Sequence, residues 1–93
     1  MSTIHYRSCL IYSDRNKNSN KFYISECIER CGMFYYVIRY GRLGKEATVK
    51  EKLCSSKNLA TRLAIEKSNE KSAKGYVYCD ISDIAMSDGS FYN

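Results

Sequence analysis

Tyr40 and Arg42 flank Gly41 in the stretch "YVIRYGRLG", residues 36–44. In an extended chain, residues i and i+2 project to the same side. A flat ring and a guanidinium would therefore stand side by side where a strand ends at a glycine corner. A guanidinium grips a phosphate through paired N–H donors. A tyrosine ring offers a π face to a base or sugar, a contact that tolerates any sequence. Upstream, the polar run "SDRNKNSN" leads into Lys21. There the side chains of Asn18 and Asn20 and the loop N–H groups can donate to phosphate oxygens, with Lys17 and Lys21 adding charge. Arg39, next to Tyr40, adds another cation. Each residue also has a plainer use: the asparagine run as a solvated turn, Tyr40 as a core ring, Arg42 as a structural arginine bonded to carbonyls.

The charge balance favours polyanionic partners. The 93 residues carry a formal net charge of +5. Three of the 10 acids, Asp80, Asp83 and Asp88, fall in residues 80–93, which hold no Lys or Arg; residues 1–79 therefore carry all 15 bases against 7 acids. A small domain with such an excess is biased towards nucleic acid or another polyanion. Residues 1–79 are expected to form one domain and residues 80–93 an acidic C-terminal tail.

Enzyme chemistry finds little to work with. His5 is the single histidine and lies within an expected strand. No G-x-G-x-x-G, P-loop or H-E-x-x-H pattern occurs, and "DISDIAMSDG" does not fit the spacing of a calcium loop. Cys9, Cys27, Cys31, Cys54 and Cys79 are odd in number and contain no C-x-x-C pair, so neither a zinc site nor a disulfide framework is expected. They read as free thiols and small core residues in an intracellular protein, cytoplasmic or nuclear. No cofactor and no metal is expected. There is no 18-residue apolar run for a membrane span.

The elements that must position the corner follow from the pattern. "IHYRSCLIY" reads as a first strand, "KFYISECIE" as a second and "MFYYVIRY" as a third, central one with both faces engaged. "RCG" is a tight turn. "GRLGKE" makes the corner, and "ATVKEKLC" alternates as a strand with one wet face. Ser55 or Ser56 caps a helix over "KNLATRLAIEKSNEKSAK", whose stripe is Leu59, Ala60, Leu63, Ala64 and Ser68. Lys67 reads as an outer-face position. Gly75 ends the helix, "YVYC" is a short last strand, and "DISDIAM" a weak helical turn. The sum is α+β: an antiparallel sheet of four to five strands with one helix on one face. Tyr23, Val49 or Leu53, Leu59 and Leu63 are expected to share the core.

In this order, "NSNKFYISECIE", "FYYVIRYGRLG" and "NLATRLAIEKSNEKSAKGY" resemble the WGR domain over roughly residues 4–79. That domain takes its name from a Trp-Gly-Arg motif. It also typically has an Asn-rich strand start and a helix ending in a lysine-rich stretch and "GY". Two positions depart from the pattern: the motif's Trp is Tyr40, and a helix position usually large and apolar is Ala64. The resemblance implies the same α+β fold. It also implies a module which, in DNA-dependent poly(ADP-ribose) polymerases, binds DNA breaks near a 5′ end, with no catalytic part in a chain of this size. Carried over to the motif, it implies that Tyr40 and Arg42 cap a DNA end; with the basic rim read above, the expected DNA-binding set is Asn18, Asn20, Lys21, Arg39, Tyr40, Gly41, Arg42 and Tyr76. The same corner could instead dock a partner protein, because in the polymerases the module also makes interdomain contacts.

Overall fold

The computed structural model describes residues 2–14, 16–17 and 19–85. Four long elements build an antiparallel meander: β1 (Ser2–Asp14), β2 (Ser19–Arg30), β3 (Met33–Arg42) and β4 (Thr48–Cys54). The helix α1 (Lys57–Ala73) follows, then the two-residue β5 (Val77–Tyr78) and the short helix α2 (Ile81–Ala85). The strand order is β4-β3-β2-β1-β5, with every neighbour antiparallel. This is the α+β sheet with one main helix that the sequence pattern predicts. The centre, however, is β2 rather than β3: Phe22 to Ile28 are all buried, whereas β3 buries Val37 alone.

Local chemistry sets the turns. The β2–β3 hairpin closes on Cys31 and Gly32, with φ of 52° and 76°. Two consecutive left-handed residues match the twist of the flanking strands, and Gly32 adopts that conformation without a steric penalty. Ser56 caps α1, its side chain accepting the Leu59 N–H at 3.1 Å. At the other end the Gly75 N–H donates to the Ser72 carbonyl and the Tyr76 N–H to the Lys71 carbonyl, both at 3.1 Å. With Gly75 at φ 102°, this is a Schellman ending.

The sheet packs on both faces. On the helix side, Cys27, Cys54 and Ala60 are buried, with Tyr6, Phe34, Tyr36, Leu59 and Leu63 packed around them. The helix lies close because the positions it buries are small: Ala60, Ala64 and Ser68. Beneath Ala64, Ser25 donates to the Ala64 carbonyl and shares a hydrogen bond with Ser8, both at 2.8 Å. A large side chain at position 64 would displace this polar spine, which accounts for the alanine. On the far side, Cys9, Phe22 and Ile24 pack against Ile84 of α2. The first part of the expected acidic tail thus contributes a fully buried side chain; residues 86–93 lie outside the described residues.

Two expected core residues are not in the core. Val49 and Leu53 are 46% and 54% exposed. Their row lies opposite Arg39 and Tyr35 of β3, on the face away from α1, and β4 is a sheet edge that the far-side cluster does not reach. Tyr23 is buried as expected, but it packs with other tyrosines rather than with Leu59 and Leu63.

Candidate functional site

Register decides which candidates meet. Across β2 and β3, Lys21 faces Arg42 and Tyr23 faces Tyr40. All four belong to the alternation that includes Ser25 and Cys27, hence to the helix side of the sheet. Tyr23 and Tyr40 stack with ring centroids 5.3 Å apart and planes 10° from parallel. Tyr76 meets Tyr23 edge-on at 6.3 Å and Tyr12 at 5.4 Å. Such aromatic pairs contribute roughly 0.5–1.5 kcal/mol each beyond the area they bury. Tyr12 also lies across Gly75, where a Cβ would come within 3.3 Å of its ring. The helix ending therefore needs glycine for close approach as well as for φ.

The helix terminus delivers the cations. The Lys71 Nζ sits 4.7 Å from the Tyr23 ring centroid and 5.8 Å from that of Tyr76. The Schellman bond between the Tyr76 N–H and the Lys71 carbonyl holds these two residues together. Burial, and then the like charge of Lys74, pushes the Lys71 ammonium below the usual lysine range; Lys67 and Lys21 push the same way, and Glu70 opposes them. Burial likewise raises the Tyr23 and Tyr76 phenols, which stay neutral hydrogen-bonding groups at physiological pH. Beside this stack a cleft of about 180 Å³ is lined by Tyr12, Asp14, Lys17, Lys21, Lys74 and Tyr76. Asp14 is occupied as a turn acceptor for the N–H groups of Asn16 and Lys17. It also sets one carboxylate among the three lysines that line the opening, so the lining carries a net positive charge.

The structure brings Lys21, Tyr40, Arg42 and Tyr76 together at one end of the helix face. Gly41 joins Tyr40 to Arg42 and lies opposite Phe22. Asn20 is exposed, with its carbonyl accepting the Leu43 N–H at 3.0 Å, but its strand position alternates away from Lys21. Asn18 lies outside the described residues. Arg39 does not join the group. One residue from Tyr40, it emerges on the opposite face, where its Nε donates to Glu26 at 2.9 Å. Arg7 donates to the other Glu26 oxygen at 2.7 Å, and the carboxylate is fully buried between the two arginines. The strand period that puts Tyr40 and Arg42 together is the same one that excludes Arg39.

The expectation for Lys67 also needs correcting. It is half-buried and paired with Glu70 at 3.1 Å, on the same helix face as Lys71 and Lys74. Lys67, Lys71 and Lys74 follow the i, i+4, i+7 spacing of one face. That spacing could have placed Lys71 and Lys74 in the site from sequence. Nothing in the sequence pattern marks Tyr12 as a wall of the cleft or Tyr23 as the ring stacked on Tyr40. Among the described residues there is no cluster of three or more His, Cys, Asp or Glu side chains that could hold a metal ion.

Comparison with known proteins gives a consistent assignment. The family model described as "WGR domain" matches residues 6–92. Among solved structures, a protein from Bacteroides fragilis determined by crystallography superposes with a TM-score of 0.70 and 25% identity over 85% of this chain. This chain spans 21% of the length of that protein. No curated protein matches.

Proposed function

The chain belongs to the WGR domain family, and from that premise we propose that it is a non-catalytic module that binds DNA at ends or breaks through the cleft beside Tyr40 and Arg42. The observation carrying this reading is the convergence of Lys21, Lys71, Lys74 and Arg42 on the tyrosine stack of residues 12, 23, 40 and 76. Positive charge over aromatic surface suits a nucleotide strand, since cations meet phosphates and rings meet bases or sugars. One face of Tyr40 is taken by Tyr23. A terminal sugar or base would therefore extend the stack from the outer face of Tyr40, while Arg42 and Lys21 take the adjoining phosphate.

A salt-titrated binding assay tests this, using a 5′-phosphorylated nicked duplex, an intact circle and a single strand. The nicked duplex should bind tightest. Its log affinity should fall linearly with log salt, with a slope of about −0.9 per phosphate neutralised. Affinity for all three that is negligible or independent of salt would reject the reading. Equal affinity for circle and nick would keep nucleic-acid binding and reject end recognition.

A further inference from the structure

A second surface lies at the other end of β1, away from the cleft. β1 runs from Ser2 to Asp14, but β5 covers its outer edge only at Leu10 and Ile11. The last contact along that edge is the Cys79 N–H donating to the Cys9 carbonyl at 2.9 Å. Backbone groups of an antiparallel strand alternate between its two neighbours. Arg7 therefore turns its N–H and C=O outward like Cys9, and from Ser2 to Ser8 the edge has no strand beside it among the described residues. These seven residues span roughly 20 Å, and a β-bulge between Ile4 and Tyr6 divides the open edge in two at His5.

Two features set this edge apart from β4, the other edge. β4 carries Lys50 and Lys52 along its length, the usual means of discouraging strand addition. Ser2–Ser8 contains neither lysine nor proline. The β1 edge is also flanked by α1. Between them runs a groove of about 490 Å³ lined by His5, Lys57, Asn58, Thr61, Arg62, Ile65 and Glu66, two cations against one acid. Ile65 is 40% exposed and Ile4 45%. Arg62 has only a long, solvated contact to Glu66, at 3.9 Å, so its guanidinium remains available to a partner.

An open strand edge beside a helix is the geometry of peptide recognition by strand addition, in which the main chain supplies hydrogen bonds and the helix side supplies side-chain contacts. We infer that the β1 edge and α1 take up an extended acidic peptide segment of a partner protein as an added strand. The backbone requirement favours a peptide over nucleic acid, because only a polypeptide presents N–H and C=O groups that can pair with the open edge on either side of the bulge. Lys57 and Arg62 select acidic side chains, and Ile65 accepts an apolar one between them.

The probe is a capped heptapeptide alternating Glu and Val, with a Lys–Val counterpart. The acidic peptide should bind and slow amide exchange at Arg7, leaving Lys50 and Lys52 of β4 unaffected. N-methylation of every amide of the peptide should abolish binding, because no main-chain donor is then left to pair with the edge. The double variant Lys57→Glu/Arg62→Glu alters exposed helix positions outside the proposed DNA site. It should weaken the acidic peptide by roughly tenfold or more and favour the basic one, while leaving the affinity for nicked duplex unchanged. The proposal is overturned by absence of binding at about 1 mM peptide, by undiminished binding of the fully N-methylated peptide, or by protection of β4 instead of Arg7. Protection of Arg7 by nicked duplex, or displacement of the peptide by it, would also overturn it by assigning the groove to nucleic acid. Because these readouts involve neither Tyr40 nor Arg42, failure here is separate from failure of the DNA reading.

Discussion

Arg39 and Arg42 lie three residues apart on one strand, and the sheet gives them unlike settings. On the far face, Arg7 and Arg39 flank a fully buried carboxylate, each with its Nε bonded to one oxygen of Glu26. On the helix face, Lys21, Lys71, Lys74 and Arg42 crowd around stacked tyrosines, with Glu70 the nearby acid that opposes the depression of Lys71. Cations at the first site satisfy a buried charge and hold the fold together. At the second, Lys74, Lys67 and Lys21 disfavour the charge on Lys71 rather than satisfy a buried one. A positive charge near a motif is thus informative only once the face it occupies and the acid beneath it are known.

The largest expected effect breaks the far side of this comparison. Glu26→Gln leaves two arginines without their shared carboxylate, and breaking a buried ion pair costs about 3–5 kcal/mol. Because both guanidinium side chains are more than a quarter exposed and rehydrate, the lower end is expected. Urea denaturation should show that loss, while protein that remains folded should bind nicked duplex like the parent.

The next effects fall on the cleft. Tyr40→Ala should weaken binding by about 1–3 kcal/mol with an unchanged salt slope, and should destabilise the fold by about 1 kcal/mol because Tyr23 loses its stacking partner. Arg42→Ala should cost roughly 1.5–3 kcal/mol in binding and lower the salt slope by about one. Both must be read on protein shown to be folded. Normal affinity in both would move the DNA site elsewhere. Arg62→Ala, on the exposed face of α1, is the control and should stay within about 0.5 kcal/mol of the parent in stability.

A smaller effect sharpens the contrast through pH. The Lys71 pKa is lowered in the folded protein, chiefly by burial and then by Lys74. For a lysine so depressed, protonation is less favourable in the folded than in the unfolded chain. Its stabilising contribution is therefore complete above the unfolded value, near 10.4, and is lost as pH falls through the lower folded value. Lys71→Met should consequently be no less stable than the parent at pH 7, although it loses a cation–π contact, and should bind DNA more weakly. A phosphate at this site favours the charged ammonium, so binding at alkaline pH should take up protons. Calorimetry in two buffers of different ionisation enthalpy measures that uptake. Marked destabilisation of Lys71→Met, or no proton uptake, would make Lys71 a structural residue like Arg39.

Much of this arrangement is local and was therefore legible in the sequence. Alternation marked the strands, Ser56 and Gly75 bounded the helix, and the Tyr40–Gly41–Arg42 spacing put ring and guanidinium on one side. Each of these rests on backbone periods or on one residue's conformational preference, which need no knowledge of distant neighbours. Tertiary structure decided the rest. That β2 is central, that Val49 and Leu53 stay exposed on an edge, and that Tyr12 walls the cleft while Tyr23 stacks on Tyr40 all depend on strand order and helix placement. So does the fate of Arg39. The strand period placed it opposite Tyr40, but the reason it is held there is Glu26, thirteen residues away in sequence and its neighbour only across the sheet. A carboxylate taken from water needs a cation more than a solvated phosphate site does, and only the folded sheet shows where that carboxylate is.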